Sequence, residues 1–378
     1  MMVTMLRRHA MGALVGCGAG LLGAQPLQTD TWPAWSRFKA QFISWDGRVQ
    51  DLGSARRHTV SEGQAYALFF ALVANDRAGF ESVLRWTENN LCRGDLAAHL
   101  PAWQWGQQDS GQWGVIDSNS ASDADLWLAY ALGEAGRLWN ERRYSALSSL
   151  VSARVLREET AELPGLGLTL LPGPQGFASG PTRWRLNASY NPPQVLQWLA
   201  QHSGQPAWSR LAESAFQVTL GSAPKGFCAD WVLYDAQQGF VADQDGPQQS
   251  QGSYNAIRVY LWAGTLHPDA KERASLLRAL QPMAQYVHSN GAVPESIDAR
   301  TGLATQAGPP GFTAALLPFV LAQQDTVALQ TLRARLQAQP PQAQAYYDQA
   351  LSLFALGWMD GHYRYAADGR LLPRWSVS

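Results

Sequence analysis

About a dozen segments of this chain space their apolar residues with the period of an α-helix, and they run from residue 33 to residue 358 with short connections. Some segments, such as residues 62–75 and 254–264, are apolar nearly all the way round, whereas others, such as residues 269–280, carry charge on one face. Fully buried helices that alternate with one-sided helices fit a double-layered ring, in which outer helices wrap inner ones. The pattern predicts an all-α fold of this kind.

Only one stretch, residues 165–173, interrupts the helical pattern with a β-like run, and it predicts a small β-hairpin insertion. No linker rich in Pro, Gly or Ser divides residues 25–378, so we predict a single domain over that range. A purely structural helical-repeat protein would show the same periodicity, and the motifs below are needed to separate the two interpretations.

Residues 1–24 have a basic start, a run of small apolar residues and the cleavage-like ending Leu22-Gly23-Ala24. This pattern predicts a secretory signal peptide and a secreted, periplasmic protein that has no membrane segment after cleavage. Of the cysteines, Cys92 and Cys228 would remain, which is too few for a disulfide scaffold, and the sequence leaves their pairing open. Without a metal-spaced Cys or His cluster, we expect no metal and no cofactor.

The charge balance excludes one class of partner and the aromatic content favours another. Lys and Arg number 29 against 30 Asp and Glu, so no electrostatic argument supports nucleic acid or an acidic membrane as partner. The chain has 16 Trp, 12 Tyr and 12 Phe, and several lie in loop-like sequence. Rings of this kind suit the C–H faces of sugars as well as a protein core.

Carboxylates stand at the start of two of the apolar helices. Glu62 follows Thr59-Val-Ser and fits a capping box, in which its side chain would bond back to the cap residue. Asp123 follows Ser120-Ala-Ser in the same way, and Asp117 and Asp125 crowd beside it. Caps need only one acceptor, so the cluster also predicts acid/base chemistry. Paired carboxylates among Trp and Tyr, without a metal, suit hydrolysis of a glycosidic bond.

Four motifs carry a specific resemblance: "TVSEGQAYAL", "DSNSASDADLWLAYAL", "RLNASYNPP" and "SYNAIRVYLWAG". Together they resemble glycoside hydrolase family 8, and in particular its periplasmic endoglucanases that accompany bacterial cellulose synthase. The similarity covers nearly the whole chain after the leader. It implies a barrel of six inner and six outer helices, inverting endo-hydrolysis of β-1,4-glucan, and contact with a cellulose synthase export complex as a possible partnership.

The resemblance also assigns site residues. It implies that Glu62 is the general acid and that Asp123 binds and distorts the central sugar. Inversion proceeds by direct attack of water and needs no protein nucleophile, which favours this role for Asp123. Further residues fall on or near family positions that line the glucan cleft, although each ring could instead be plain packing: Trp103, Trp105, Asp117, Trp184, Tyr190, Tyr254, Arg258, Tyr346 and Tyr347.

One position departs from the family pattern. Asn255 stands where the family has the aspartate that acts as general base, and an amide cannot accept a proton at neutral pH. Three interpretations remain open: another carboxylate, Asp243 or Asp245, supplies the base; the chain is a catalytically impaired hydrolase that still binds glucan; or the substrate differs, as in a chitosanase-like hydrolase of a glucosamine polymer.

Overall fold

The computed structural model describes residues 32–376 apart from residues 55, 244, 245 and 247. The predicted signal peptide lies outside the described residues. Within them the chain forms twelve α-helices. Their bounds are α1 Pro33–Phe42, α2 Ser61–Val73, α3 Arg77–Leu91, α4 Ser122–Trp139, α5 Arg142–Glu158, α6 Pro193–His202, α7 Ala207–Gly221, α8 Ala256–Thr265, α9 Arg273–Asn290, α10 Pro310–Ala322, α11 Thr326–Ala338 and α12 Tyr346–Met359.

The even-numbered helices form the inner ring. Neighbours pack in the order α2, α4, α6, α8, α10 and α12, and the ring closes where Phe70 of α2 meets Phe354 of α12 at 4.6 Å between ring centroids. The odd-numbered helices lie outside: α3 packs on α2, α5 on α4, α7 on α6, α9 on α8 and α10, α11 on α10, and α1 on α12. The predicted all-α barrel of six inner and six outer helices is confirmed.

The apolar character of the inner helices follows from their two-sided burial. Almost every side chain of α2, α8 and α10 is buried, and aromatic rings such as Phe69, Trp127 and Trp262 fill the middle of the ring. Gly264 lets α8 and α10 approach closely, because a Cβ at this position would lie 2.3 Å from the backbone nitrogen of Phe319.

The chain has more β-structure than the sequence predicts. The expected hairpin is present as β4 and β5, but the described residues contain twelve short strands in five small antiparallel sheets. Their bounds are β1 Thr59–Val60, β2 Gln104–Gln107, β3 Trp113–Asp117, β4 Thr160–Leu163, β5 Gly167–Leu170, β6 Arg183–Leu186, β7 Val232–Asp235, β8 Gly239–Ala242, β9 Gln251–Gly252, β10 Ile297–Asp298, β11 Tyr363–Tyr365 and β12 Leu371–Pro373. The expectation of a single β-interruption was therefore wrong.

These strands position the inner helices. The sheet of β1, β2 and β3 leads into α2 and α4, the sheet of β6, β7 and β8 leads through a 3-10 turn towards α6, and β9 leads into α8. The residues that begin α2, α4 and α8 are thus held by paired backbone next to the open end of the ring.

A buried carboxylate ties the C-terminal hairpin to the ring. Glu134 of α4 accepts hydrogen bonds from the indole of Trp198 at 2.7 Å, from the backbone N–H of Leu371 at 2.6 Å and from the guanidinium of Arg137. The side chain of Glu134 is fully buried. Three separate elements, α4, α6 and β12, therefore depend on one carboxylate.

Two further features of the described residues are the state of the cysteines and the hydropathy of the helices. Cys92 and Cys228 are both buried free thiols. Within residues 32–376 no helix combines the length and the hydropathy that crossing a membrane requires.

We predict that Glu134→Ala lowers the free energy of unfolding by about 3 kcal/mol, because it leaves Arg137 and two buried N–H groups without their acceptor. Urea unfolding followed by tryptophan fluorescence measures the change. Glu213→Ala, on the exposed face of α7, is the control and should change stability by less than about 0.5 kcal/mol. Equal effects for the two variants would contradict the prediction.

Candidate active site

The buried guanidinium of Arg258, in the first turn of α8, is the centre of the site. One nitrogen donates to Asp123 Oδ2 at 2.6 Å and to the hydroxyl of Tyr66 at 2.8 Å. The other nitrogen donates to Asn255 Oδ1 at 2.8 Å and to the hydroxyl of Ser189 at 3.0 Å. Four elements of the chain thereby meet at one cation.

Glu62 lies at the start of α2, with Oε1 4.0 Å from Arg258. Its Oε2 accepts a hydrogen bond from the indole N–H of Trp103 at 3.1 Å. Burial and the nearby charge of Asp123 raise the pKa of Glu62 to about 7, against the opposing effects of Arg258 and Trp103. Glu62 can therefore hold a proton close to neutral pH, as a general acid must.

Asp123, on the first turn of α4, is also buried but lies closer to Arg258 than Glu62 does. It is 1% exposed, and besides the 2.6 Å ion pair with Arg258 it accepts the backbone N–H of Ala124 at 2.8 Å. Burial raises the pKa of Asp123, while Arg258 lowers it. The shorter contact with the arginine makes Asp123 the anion of the two acids and leaves the proton on Glu62.

Neither carboxylate caps its helix. The N-cap residues are Val60 for α2 and Ala121 for α4, and neither makes a side-chain capping bond. The hydroxyl of Thr59 donates to the carbonyl of Val49, and that of Ser120 donates to Glu159. The capping-box interpretation was wrong because tertiary partners take the side chains that a cap would use.

The cap of α8 comes instead from a distant aspartate. Asp230 Oδ1 accepts the backbone N–H groups of Ser253, Asn255 and Ala256 at 2.8, 3.0 and 2.7 Å. Burial raises the pKa of Asp230, and these three donors lower it. This aspartate fixes the backbone of Asn255, and the sequence analysis missed it because helix caps are sought next to the helix.

A pocket of about 190 Å³ opens beside Arg258. Its rim includes Tyr254, which is 48% exposed, and the hydroxyl of Tyr347 donates to the carbonyl of Tyr254 at 2.5 Å. The lining residues are Val60, Glu62, Tyr66, Tyr254, Asn255, Arg258, Tyr346 and Tyr347. Tyr66 was not predicted, although its place one helical turn after Glu62 puts both on one face of α2.

Other predicted cleft residues have varied surroundings. Trp105 stacks on the exposed Trp113 at 5.4 Å, and the guanidinium of Arg48 lies over both rings. Tyr190 is half-buried 5.5 Å from the Arg258 guanidinium. Trp184 is 7% exposed and packs near Tyr234 in the core, which leaves it little surface for a ligand.

The candidate acids outside the pocket are engaged elsewhere. Asp117, at the end of β3, accepts the backbone N–H of Asn119. Asp243 is buried and forms a 2.7 Å ion pair with Arg185, which lies over the ring of Trp231. Asp245 lies outside the described residues. Among the described residues, no group of His, Cys, Asp and Glu is arranged to hold a metal ion.

The chain is similar to a well-defined set of proteins. The model of the family described as glycosyl hydrolases family 8 matches residues 3–361. An endoglucanase of Salmonella typhi is 48% identical over 91% of each chain, and an endoglucanase of Xanthomonas axonopodis pv. citri is 44% identical over 98% of each.

Solved structures agree with these relatives. The endo-1,4-D-glucanase of Vibrio fischeri has a TM-score of 0.87 and 43% identity, and the match covers 91% of this chain and 99% of that one. The endo-β-1,4-glucanase of Acetobacter xylinum has a TM-score of 0.72 and 27% identity, with coverage of 86% and 97%.

We predict that loss of the proton from Glu62 limits hydrolytic activity at alkaline pH. Its ordinary pKa of 4.5 is raised to about 7, so the proton stays bound from acidic pH to about neutral and is lost as the pH rises further. The value of kcat/KM on cello-oligosaccharides should begin to fall near pH 7. Trp103→Phe removes a donor that favours the anion, and should move the limit to higher pH. A fall in kcat/KM that begins near pH 4.5 would contradict the assignment of Glu62 as the general acid.

Proposed function

Since the chain belongs to glycosyl hydrolases family 8, we propose that it cleaves internal β-1,4 bonds of a glucan such as cellulose, with inversion. The observation that carries this proposal is the Arg258 cluster, which joins Glu62, Asp123 and Asn255 beside one tyrosine-lined pocket. A protonated carboxyl, an anionic carboxylate and aromatic rings are the groups that glycoside hydrolysis uses.

Glu62 is the general acid in this proposal. Its proton passes to the glycosidic oxygen as the bond to the leaving sugar breaks. The indole of Trp103 holds Oε2, which orients the carboxyl group. Asp123 fixes Arg258, which lines the pocket, so its predicted effect on the central sugar is exerted through this arginine, and its negative charge also favours the developing positive charge of an oxocarbenium-like transition state.

Among the described residues, no carboxylate is placed to act as the base for the attacking water. Asn255 Oδ1 accepts from Arg258, and the remaining amide group can only donate, so it cannot take the proton of water. Glu62 is the sole carboxyl group among the described residues that line the pocket. Asp243 is committed to Arg185. We therefore propose that the chemical step is slow and that position 255 limits it.

A second function follows from the same substitution. An amide has nearly the shape of a carboxylate, and Tyr254 at the rim of the pocket and Trp113 are both exposed to sugar rings. Glucan should bind even where its cleavage is slow. The protein would then hold or guide a polysaccharide chain as much as it cuts it.

The cellular setting is a further part of the proposal. The leader pattern of residues 1–24 supports export to the periplasm, where cellulose leaves the cell. Solved structural relatives include endo-β-1,4-glucanases such as that of Acetobacter xylinum. We propose that nascent cellulose is the substrate and that the cellulose synthase export complex is the partner.

We expect Asn255→Asp to raise kcat by about a hundredfold to ten-thousandfold, the usual worth of a general base. Reducing-end release from cellulose oligosaccharides measures it, beside the unchanged protein and Asp243→Asn. Glu62→Gln in either background should abolish turnover, which assigns the measured rate to this site.

The opposite outcomes are also informative. Full activity in the unchanged protein that Asp243→Asn or Asp245→Asn removes would overturn the slow-step proposal and assign the base to the loop. Faster release of reducing ends from chitosan than from cellulose would show that a glucosamine polymer, and not cellulose, is the substrate. Calorimetry of Glu62→Gln with cellohexaose tests binding separately, and absence of heat would exclude the glucan-holding function.

A further inference from the structure

Behind the site, an acid on α4 and an acid directly after α5 are buried against each other. Asp125 and Glu159 are both fully buried, and their side chains lie within hydrogen-bonding reach. No described N–H or O–H donor reaches either oxygen of Asp125 or the Oε2 atom of Glu159. Two carboxylates cannot bond to each other, so this contact exists only when one of them carries a proton.

The pair is connected to the reacting groups through short links. Ser120 donates to Glu159 Oε1 at 2.5 Å. The neighbouring carbonyl of Asn119 accepts the backbone N–H of Trp103 at 2.6 Å, and the indole of Trp103 donates to Glu62. Asp125 itself follows Asp123 by two residues in the first turn of α4. Glu62 and Asp123 are thus both connected to the pair of Asp125 and Glu159.

The surroundings make the shared proton essential. The titratable groups beside the pair include Asp123 on the same turn, which pairs with Arg258, Glu158 at the end of α5, which pairs with Arg154 and Arg157, and the Cys92 thiol beyond the end of α3. None of these groups donates a hydrogen bond to Asp125 or to Glu159 Oε2. Loss of the proton would place two buried negative charges next to Asp123, and repulsion would then displace the start of α4.

We propose that Asp125 and Glu159 are positioning residues, joined by a proton-dependent hydrogen bond that holds Asp123 and the Trp103–Glu62 contact in their catalytic arrangement. The proposal explains why this sequence has more aspartates at the start of α4 than a cap requires. It rests on the proposed roles of Glu62 and Asp123, and one arm of the test is independent of activity.

The first test is how steeply log(kcat/KM) falls with pH on the alkaline side of the pH profile. It is measured in the Asn255→Asp background if the unchanged protein is slow. Burial raises the pKa of both acids, that of Glu159 to about 8, and the hydrogen bond between them raises the pKa of Asp125 further and lowers that of Glu159, so Asp125 keeps the joining proton to a pH above about 8. The slope of log(kcat/KM) against pH should steepen from −1 towards about −2 above that value, because two protons are then lost. Asp125→Asn replaces the titrating proton with an amide donor and should keep the slope near −1.

A second variant separates positioning from titration. Asp125→Ala removes the donor without replacing it and should lower kcat at pH 6 by roughly ten- to hundredfold, with KM changed less, because the acids are misplaced. Asp125→Asn should restore most of this loss. Glu134→Gln makes the same carboxyl-to-amide change further along α4 and should leave the steep limb intact. Thermal unfolding at pH 6 and 9 shows that each variant is folded where rates are compared.

The activity-independent arm is infrared difference spectroscopy in the Glu62→Gln background. We expect the band of a protonated carboxyl group to persist at pH 7, to titrate at higher pH, and to lose the part of its intensity that titrates last with Asp125→Asn. Absence of the band, a steep limb in Asp125→Asn, or full kcat in Asp125→Ala would each overturn the proposal. If the band persists but the protein with Glu62 intact has no hydrolase activity, only the proposed function is contradicted.

Discussion

The pairing of one buried guanidinium with several acceptors determines the arrangement of the site. Arg258 donates to side chains from α2, α4, the segment before α6 and the residue before α8. A cation in such a position is tolerable only with anionic partners, and Asp123 supplies the closest one. The positions of Asn255 and Glu62 relative to each other follow from this shared centre.

The same centre divides two acids into different protonation states. Asp123 is 2.6 Å from the arginine and Glu62 is 4.0 Å away, so the positive charge stabilises one anion far more than the other. The remaining burial of Glu62 then favours its neutral form. Unequal distances to a single positive charge therefore favour a proton on Glu62 over one on Asp123.

Much of the fold was predictable because inner helices such as α2, α8 and α10 are buried nearly all round, so their apolar composition separates them from the outer helices. The short strands were missed because β1 and β9 have only two residues each, too few to show a period. Glu62 and Asp123 were identified by motif, but their local partners were misassigned. Trp103 is 41 residues from Glu62, and Asp230 caps a helix that begins far along the chain. Contacts at such separations depend on the closed ring and have no local signal.

The C-terminal hairpin bears on how this protein can change. Glu134, its anchor, lies eleven residues after Asp123 on the same helix, which corresponds to about 16 Å along the axis. The proposed site lies at one end of α4, and the carboxylate that ties α4, α6 and β12 together lies nearer the other end. Effects of substitutions at sites this far apart usually add. Substitutions at the active-site end of α4 can therefore change or abolish turnover in a lineage of such proteins. The contacts of Glu134 towards the other end would stay intact.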